Sequence, residues 1–206
     1  MSFTAWYYPF FLVLVALAYW RLPQRGRVLL LLAASYLFYG VWDIRFLSLV
    51  MASTLSDYFS ANAIAGNRRP GWQVAAGALL PVAWFGAIQL LGIYPLPLPP
   101  AYLAIAGIAS LAFIGVYIGL WNLPEARRRK GFLLLSITSN LAVLFFFKYF
   151  GFFVGSAKVL LEAAGLGGHF EIIEILLPVG ISFYTFQSIA YIVDVYKGQS
   201  HACRDL

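Results

Sequence analysis

The sequence predicts an all-α protein, a polytopic transmembrane helix bundle of about seven spans. Three observations predict it. First, 62% of the 206 residues are apolar and only 11% are charged, with a mean hydropathy of +0.83. A soluble domain carries roughly a quarter charged residues, so too few polar groups exist to face water. Second, the apolar residues fall in blocks, most of them near the roughly 20 residues needed to cross a hydrocarbon core. Third, the scarce basic residues alternate between block ends in a way that sets one orientation. The N-terminus then lies outside and the C-terminus in the cytoplasm. A disordered chain and a disulfide-stapled secreted domain are excluded by the same composition.

Seven blocks follow in order: Phe3–Trp20, Val28–Trp42, Phe46–Ala65, Trp72–Ile93, Ala101–Trp121, Phe132–Phe153 and Ile175–Val193. The first has no basic residues before it and no small-residue cleavage site after it, so it reads as a retained span. The second has 15 residues and is short, as expected of a helix lying in protein or in locally thinned bilayer. Aromatic residues such as Trp6, Trp20, Trp42, Trp72, Tyr94 and Trp121 mark the block ends, where a ring with one polar edge suits the interface. The run Tyr94–Pro100 is a proline-rich hairpin tip that stops both flanking helices. Ser156–Ala164 reads as a short amphipathic interfacial helix, ended by Gly165, Gly167 and Gly168.

The basic residues fix the direction. Arg21, Arg25, Arg27, Arg68, Arg69, Arg127, Arg128, Arg129, Lys130, Lys197 and Arg204 follow the odd-numbered blocks. Only Arg45, Lys148 and Lys158 fall on the other side. Dropping or merging one span would scramble this alternation. The net charge of +6 therefore reflects placement around the spans, with no nucleic-acid partner implied.

A polar side chain inside an apolar block marks either helix–helix bonding or a functional cavity. In the seventh block Pro178 and Gly180 predict an irregular entry. Tyr184, Gln187, Tyr191 and Asp194 then recur at helical spacing, with Ser188 beside them. This stripe is a substrate-tunnel candidate or a set of interhelical hydrogen bonds. Asp57 shares a face with Ser53, Ser56 and Ser60. It is either an interfacial charge paired with Arg68 or Arg69, or a contact at the inner mouth of a cavity. Lys148 either snorkels to the outer interface or pairs with a buried carboxylate.

Other chemistries lack their residues. His169 and His201 stand apart from any Cys, Asp or Glu at ligand spacing, so no metal site is expected. Neither a phosphate-cradling glycine loop nor a nucleophile elbow occurs. Cys203 is a lone thiol. From the residues alone, no catalytic constellation is expected.

The run Pro178-Val179-Gly180-Ile181-Ser182-Phe183-Tyr184-Thr185-Phe186-Gln187-Ser188, followed by Asp194-Val195-Tyr196-Lys197-Gly198, resembles the signature helix of the membrane-bound O-acyltransferase family. The likeness is to its alginate O-acetyltransferase-like branch. Phe147–Phe150, Ala34–Gly40 and Ser53–Phe59 match in the same order, so the resemblance covers the whole chain. Two features depart from the family pattern. Residues 72–121 look like an inserted hairpin. The histidine that members use in acyl transfer lies in a later helix and matches nothing here, His201 included.

The resemblance implies that residues 1–206 are the N-terminal part of one such transmembrane domain, with 175–198 as its signature helix. It implies a multi-pass enzyme of the bacterial cytoplasmic membrane. That enzyme moves an acyl group, typically acetyl, from a cytoplasmic donor to a hydroxyl of an extracytoplasmic polysaccharide. The donor would be acetyl-CoA or an acyl carrier, acting as substrate, with no bound cofactor. Membrane lipid and extracytoplasmic acetylation proteins would be its partners. No catalytic residue is assigned to this chain, so it should insert but transfer nothing alone. The alternative is a non-enzymatic transporter-like or assembly subunit of a cell-envelope polymer system.

Overall fold

The computed structural model describes residues 8–92, 100–163, 178 and 180–203. Among these residues the structure is helical, without strands. Seven helices follow in order: α1 (Tyr8–Arg21), α2 (Gln24–Ile64), α3 (Gly71–Leu90), α4 (Pro100–Trp121), α5 (Glu125–Lys148), α6 (Phe150–Ala163) and α7 (Ile181–Lys197). Three stretches are long and apolar enough to cross a membrane: Gly71–Leu90, Leu103–Trp121 and Glu125–Lys148. Tyr8–Arg21 and Phe150–Leu161 are shorter apolar helices. Large aliphatic side chains such as Leu14, Leu29, Ile108 and Leu111 are exposed, the arrangement of a protein whose surroundings are lipid. Residues 94–99 of the proline-rich tip, the glycines after α6 and His169 lie outside the described residues.

The second and third predicted blocks form one element, α2, broken at a single residue. Asp43 is extended (φ −158°, ψ 110°). Its carboxylate accepts the backbone N–H of Arg45 at 2.9 Å, so it acts as the N-cap of the second arm. The Arg45 guanidinium also donates to it, which neutralises a charge at the break. Trp84 of α3 donates its Nε1–H to the Ile44 carbonyl at 3.2 Å and ties the break to the next helix.

Two predicted boundaries shift. The helix expected at Ser156–Ala164 begins earlier, at Phe150, and the sixth block ends at Lys148 rather than at Phe153. The turn falls at Tyr149 (φ −112°, ψ −19°), whose N–H still bonds the Phe145 carbonyl. The basic run Arg127–Lys130 is not a loop. It lies in the first turns of α5, after Pro124 at the N-cap, where proline's missing N–H costs nothing. Positive charge there opposes the helix dipole, and specific partners offset it. Arg128 lies 4.5 Å from the Trp121 ring centroid. Arg129 donates to the Tyr196 carbonyl at 2.9 Å, and Glu125 stands in the first turn.

The second arm of α2 is the spine. It packs against α3, α5 and α7. Leu55, Phe59, Ile64, Val74, Tyr117, Phe132, Ile192 and Val195 form one buried cluster toward the basic end. Gly77 permits the close approach of α3. A Cβ there would stand 2.6 Å from Cε2 of Phe59, a ring only 2% exposed and unable to swing away. Gly77→Ala is therefore expected to lower stability by about 1–3 kcal/mol through overpacking. A thermal unfolding midpoint unchanged in detergent would contradict this packing.

Candidate functional site: a polar junction on helix α7

Among the described residues Asp57, 4% exposed on α2, is a buried carboxylate. Its Oδ1 accepts the Ser136 hydroxyl at 2.6 Å and the Asn140 amide at 2.8 Å. Both donors stand on α5, four residues apart, hence on one helix face. Ser188 of α7 is a further neighbour of the same carboxylate. One side chain thus joins α2, α5 and α7. Asn140 also donates to the Ser136 carbonyl at 3.0 Å, which fixes its amide for this task.

Asp57 does not take the arginine partners that the sequence offered. Arg69 donates to Asn62 Oδ1 at 3.0 Å and lies over the Tyr58 ring at 5.2 Å. Arg68 lies over Trp121 at 5.5 Å. The reason is helix geometry. Asp57 is two turns above the end of α2, and the arginines follow that end. Hydroxyl and amide donors from α5 satisfy the carboxylate there instead.

Helix α7 opens at Gly180 in the left-handed region (φ 73°), a conformation that glycine adopts without strain. The Tyr39 hydroxyl of α2 lies 3.8 Å from where a Cβ would stand. Ile181, Thr185, Ile192 and Val195 form the buried seam. The predicted stripe borders that seam. Tyr184, Ser188, Tyr191 and Asp194 are half-buried, and Gln187 is exposed. Tyr191 accepts the Cys203 N–H at 3.0 Å, and Asn62 donates to the Cys203 carbonyl at 3.0 Å. The segment after α7 is thereby folded back onto α2. The Asp194 carbonyl accepts the N–H groups of Gln199 and Ser200, and Gly198 supplies the left-handed C-cap.

Lys148 is exposed. Its ammonium donates to Ser182 Oγ at 3.3 Å and lies 5.5 Å from the Tyr149 ring. It links the end of α5 to the start of α7. The partners are a hydroxyl and a ring, not a carboxylate.

Several buried polar atoms on α2 and α7 have no hydrogen-bond partner. They are Oγ of Ser56 and Ser60, Oδ2 of Asp57, the Tyr184 hydroxyl and Oγ1 of Thr185. Polar groups at membrane depth are costly, and they persist where helices or a polar path need them. Sequence reasoning missed Ser136, Asn140 and Thr185. The spacing of Ser136 and Asn140 was readable, but both lie in the polar run Ser136-Ile137-Thr138-Ser139-Asn140, which disguises the face that matters. Among the described residues no group of three His, Cys, Asp or Glu could hold a metal ion.

Known proteins align with nearly all of this chain. The probable alginate O-acetylase AlgI of Azotobacter vinelandii is 32% identical over 196 residues, covering 95% of this chain and 28% of that protein. The chain is similar to alginate O-acetylases. The Pseudomonas putida protein of the same name is 31% identical over 188 residues, covering 91% of this chain and 27% of its own length. A peptidoglycan O-acetyltransferase of Helicobacter pylori is 33% identical over 138 residues, 58% of this chain and 25% of that protein. The chain spans about a quarter of the length of the curated relatives it matches. No family model matches it, and no solved structure does.

Proposed function

We propose that this chain is part of a membrane-bound O-acyltransferase. The enzyme would move an acyl group, acetyl by analogy with its relatives, from a cytoplasmic donor to a hydroxyl of an extracytoplasmic polysaccharide. The observation that supports this most is the alignment with O-acetylases over 91–95% of the chain. Acetyl-CoA or an acyl carrier is the donor class that fits, as a substrate. The bacterial cytoplasmic membrane, with α7's C-terminal end inward, fits the basic residues. About seven spans, a hairpin of residues 72–121 added to the family pattern, and extracytoplasmic acetylation proteins as partners belong to the same reading.

In this reading α7 has two faces with different tasks. Its buried seam, held by Asp57 and Ser188, fixes the helix. Its half-exposed polar stripe, Tyr184, Gln187, Tyr191 and Asp194, borders the route of the polar substrate groups. Orientation by fixed neighbours is worth much in transfer reactions, because a small misplacement costs rate steeply. The chain's own residues position and line. No residue of this chain is assigned as the base that activates the hydroxyl.

The test uses the enzyme that contains this chain. Gln187→Leu is expected to lower acyl transfer about tenfold or more at unchanged membrane abundance, as expected for a residue facing the route. Tyr191→Phe, which removes only the hydroxyl, is expected to lower it less. Normal transfer in both variants would assign the stripe to helix packing. This chain expressed by itself is expected to insert without transferring acyl groups, and acetylation of polymer by it alone would contradict the reading.

A further inference from the structure

A small cleft opens at the basic end of the bundle, away from the Asp57 junction. It lies between the start of α3 and the last turns of α4, with a volume of about 60 Å³. Each of its polar side chains offers a donor. Arg68 and Arg69 line it, and Arg128 lies 4.5 Å from the centroid of the Trp121 ring, which also lines it. Tyr117, 3% exposed, lines the cleft, and its hydroxyl has no hydrogen-bond partner. The Trp121 Nε1–H is likewise buried without an acceptor. The N-terminus of α3 at Gly71 adds a positive dipole end, with no side chain capping it. Among the described residues the lining contains no Asp or Glu.

Buried donors without acceptors cost free energy, and like charges gathered in one place repel one another. Both penalties disappear when an anion with several acceptor oxygens enters. A phosphate satisfies that description. The apolar side says what kind of phosphate. Ile114 and Ile118 line the cleft and share a face of α4 with Leu111. Leu111 is 66% and Ile118 is 55% exposed. The cleft therefore opens beside an exposed aliphatic strip of α4.

We propose that this cleft binds the phosphate of an anionic phospholipid headgroup, with the lipid's chains lying along the Leu111–Ile118 strip of α4. The lipid would anchor the α3–α4 hairpin at the basic end of the bundle, where the leaflet's anionic lipids meet juxtamembrane arginines. This inference does not depend on acyl transfer.

The test is native mass spectrometry of the intact, delipidated protein in detergent, titrated with phosphatidylglycerol or phosphatidylcholine. Phosphatidylglycerol is expected to be retained at about tenfold lower concentration, because both lipids carry one phosphate diester but only phosphatidylcholine brings a quaternary ammonium that the arginines repel. Arg68 is exposed, so Arg68→Gln should leave folding intact and remove most of that preference. Tyr117→Phe keeps the ring and is expected to weaken retention by about threefold. Equal retention of the two lipids, or an unchanged preference in Arg68→Gln, overturns the proposal. Inorganic phosphate alone stabilising the protein as much as phosphatidylglycerol would assign the cleft to a soluble phosphate and overturn the lipid assignment.

Discussion

Asp57→Leu is expected to lower the stability of this bundle and, under the proposed function, acyl transfer by the enzyme of which it would be part. The leucine fills much of the same space, but it accepts nothing. The Ser136 hydroxyl and the Asn140 amide then lose an acceptor inside the bundle. In water-excluded surroundings each such loss costs about 1–3 kcal/mol, and helix pairs in membranes recover part of it by finding other partners. A net loss of about 2 kcal/mol is the expected outcome, read as a lower unfolding midpoint in detergent. The functional loss should be larger than the structural one. Ser188 lies beside the polar stripe of α7, and release of its neighbour lets α7 shift against α5. Asp57→Asn keeps one carbonyl acceptor and is expected to retain more stability than the leucine variant. Equal midpoints for wild type and Asp57→Leu would show that the junction is incidental.

Phe132→Ala is expected to have the largest effect on stability. The ring is fully buried at 0% exposure. Its centroid is 5.2 Å from that of Tyr117 and 6.1 Å from that of Trp121. Tyr117 in turn meets Phe59 at 6.3 Å. One ring thus joins α5 to α4 and, through Tyr117, to α2. Truncation removes its dispersion contacts and leaves a cavity, which in soluble cores costs about 3–5 kcal/mol for Phe→Ala. Lipid-facing states reduce the transfer share of that figure, so about 2–4 kcal/mol is expected here. The measurement is the same unfolding midpoint, with Phe132→Leu as the milder comparison. A loss no larger than that of an exposed truncation such as Leu14→Ala would contradict the packing described.

Much of the fold was legible in the sequence because the signal was one of composition and spacing. Long apolar blocks become helices whatever their neighbours do, since a chain in lipid must satisfy its backbone internally. Pro178 and Gly180 announced an irregular entry, and Gly180 does take the left-handed conformation. Boundaries were less legible. The charge run Arg127–Lys130 reads as a loop until Trp121 and the Tyr196 carbonyl are seen to receive it. The break between the blocks at Asp43 was visible, but its cause was not. That cause is a capping bond to Arg45.

The site was only half legible, for a related reason. Asp57 stood out as a carboxylate in an apolar block. Its partners are uncharged and lie 79 and 83 residues away in sequence, a distance that periodicity cannot bridge. The arginines looked like better partners on charge alone, yet the helix carries Asp57 away from them. The stripe on α7 was found by spacing. What spacing could not give was its offset from the buried seam of Ile181, Thr185, Ile192 and Val195, which sets Gln187 outward.

One measurement tests the central claim, that this chain fixes α7 within an O-acyltransferase through Asp57. It is the acetyl-ester content of exopolysaccharide from cells lacking their own O-acetylase and supplied with the enzyme that contains this chain. The account predicts acetyl esters with the wild-type enzyme. It predicts a fall of about tenfold or more with Asp57→Leu at equal membrane abundance, as expected when transition-state positioning is lost. An abundant wild-type enzyme that adds no esters, or an Asp57→Leu enzyme that adds the full amount, would contradict it.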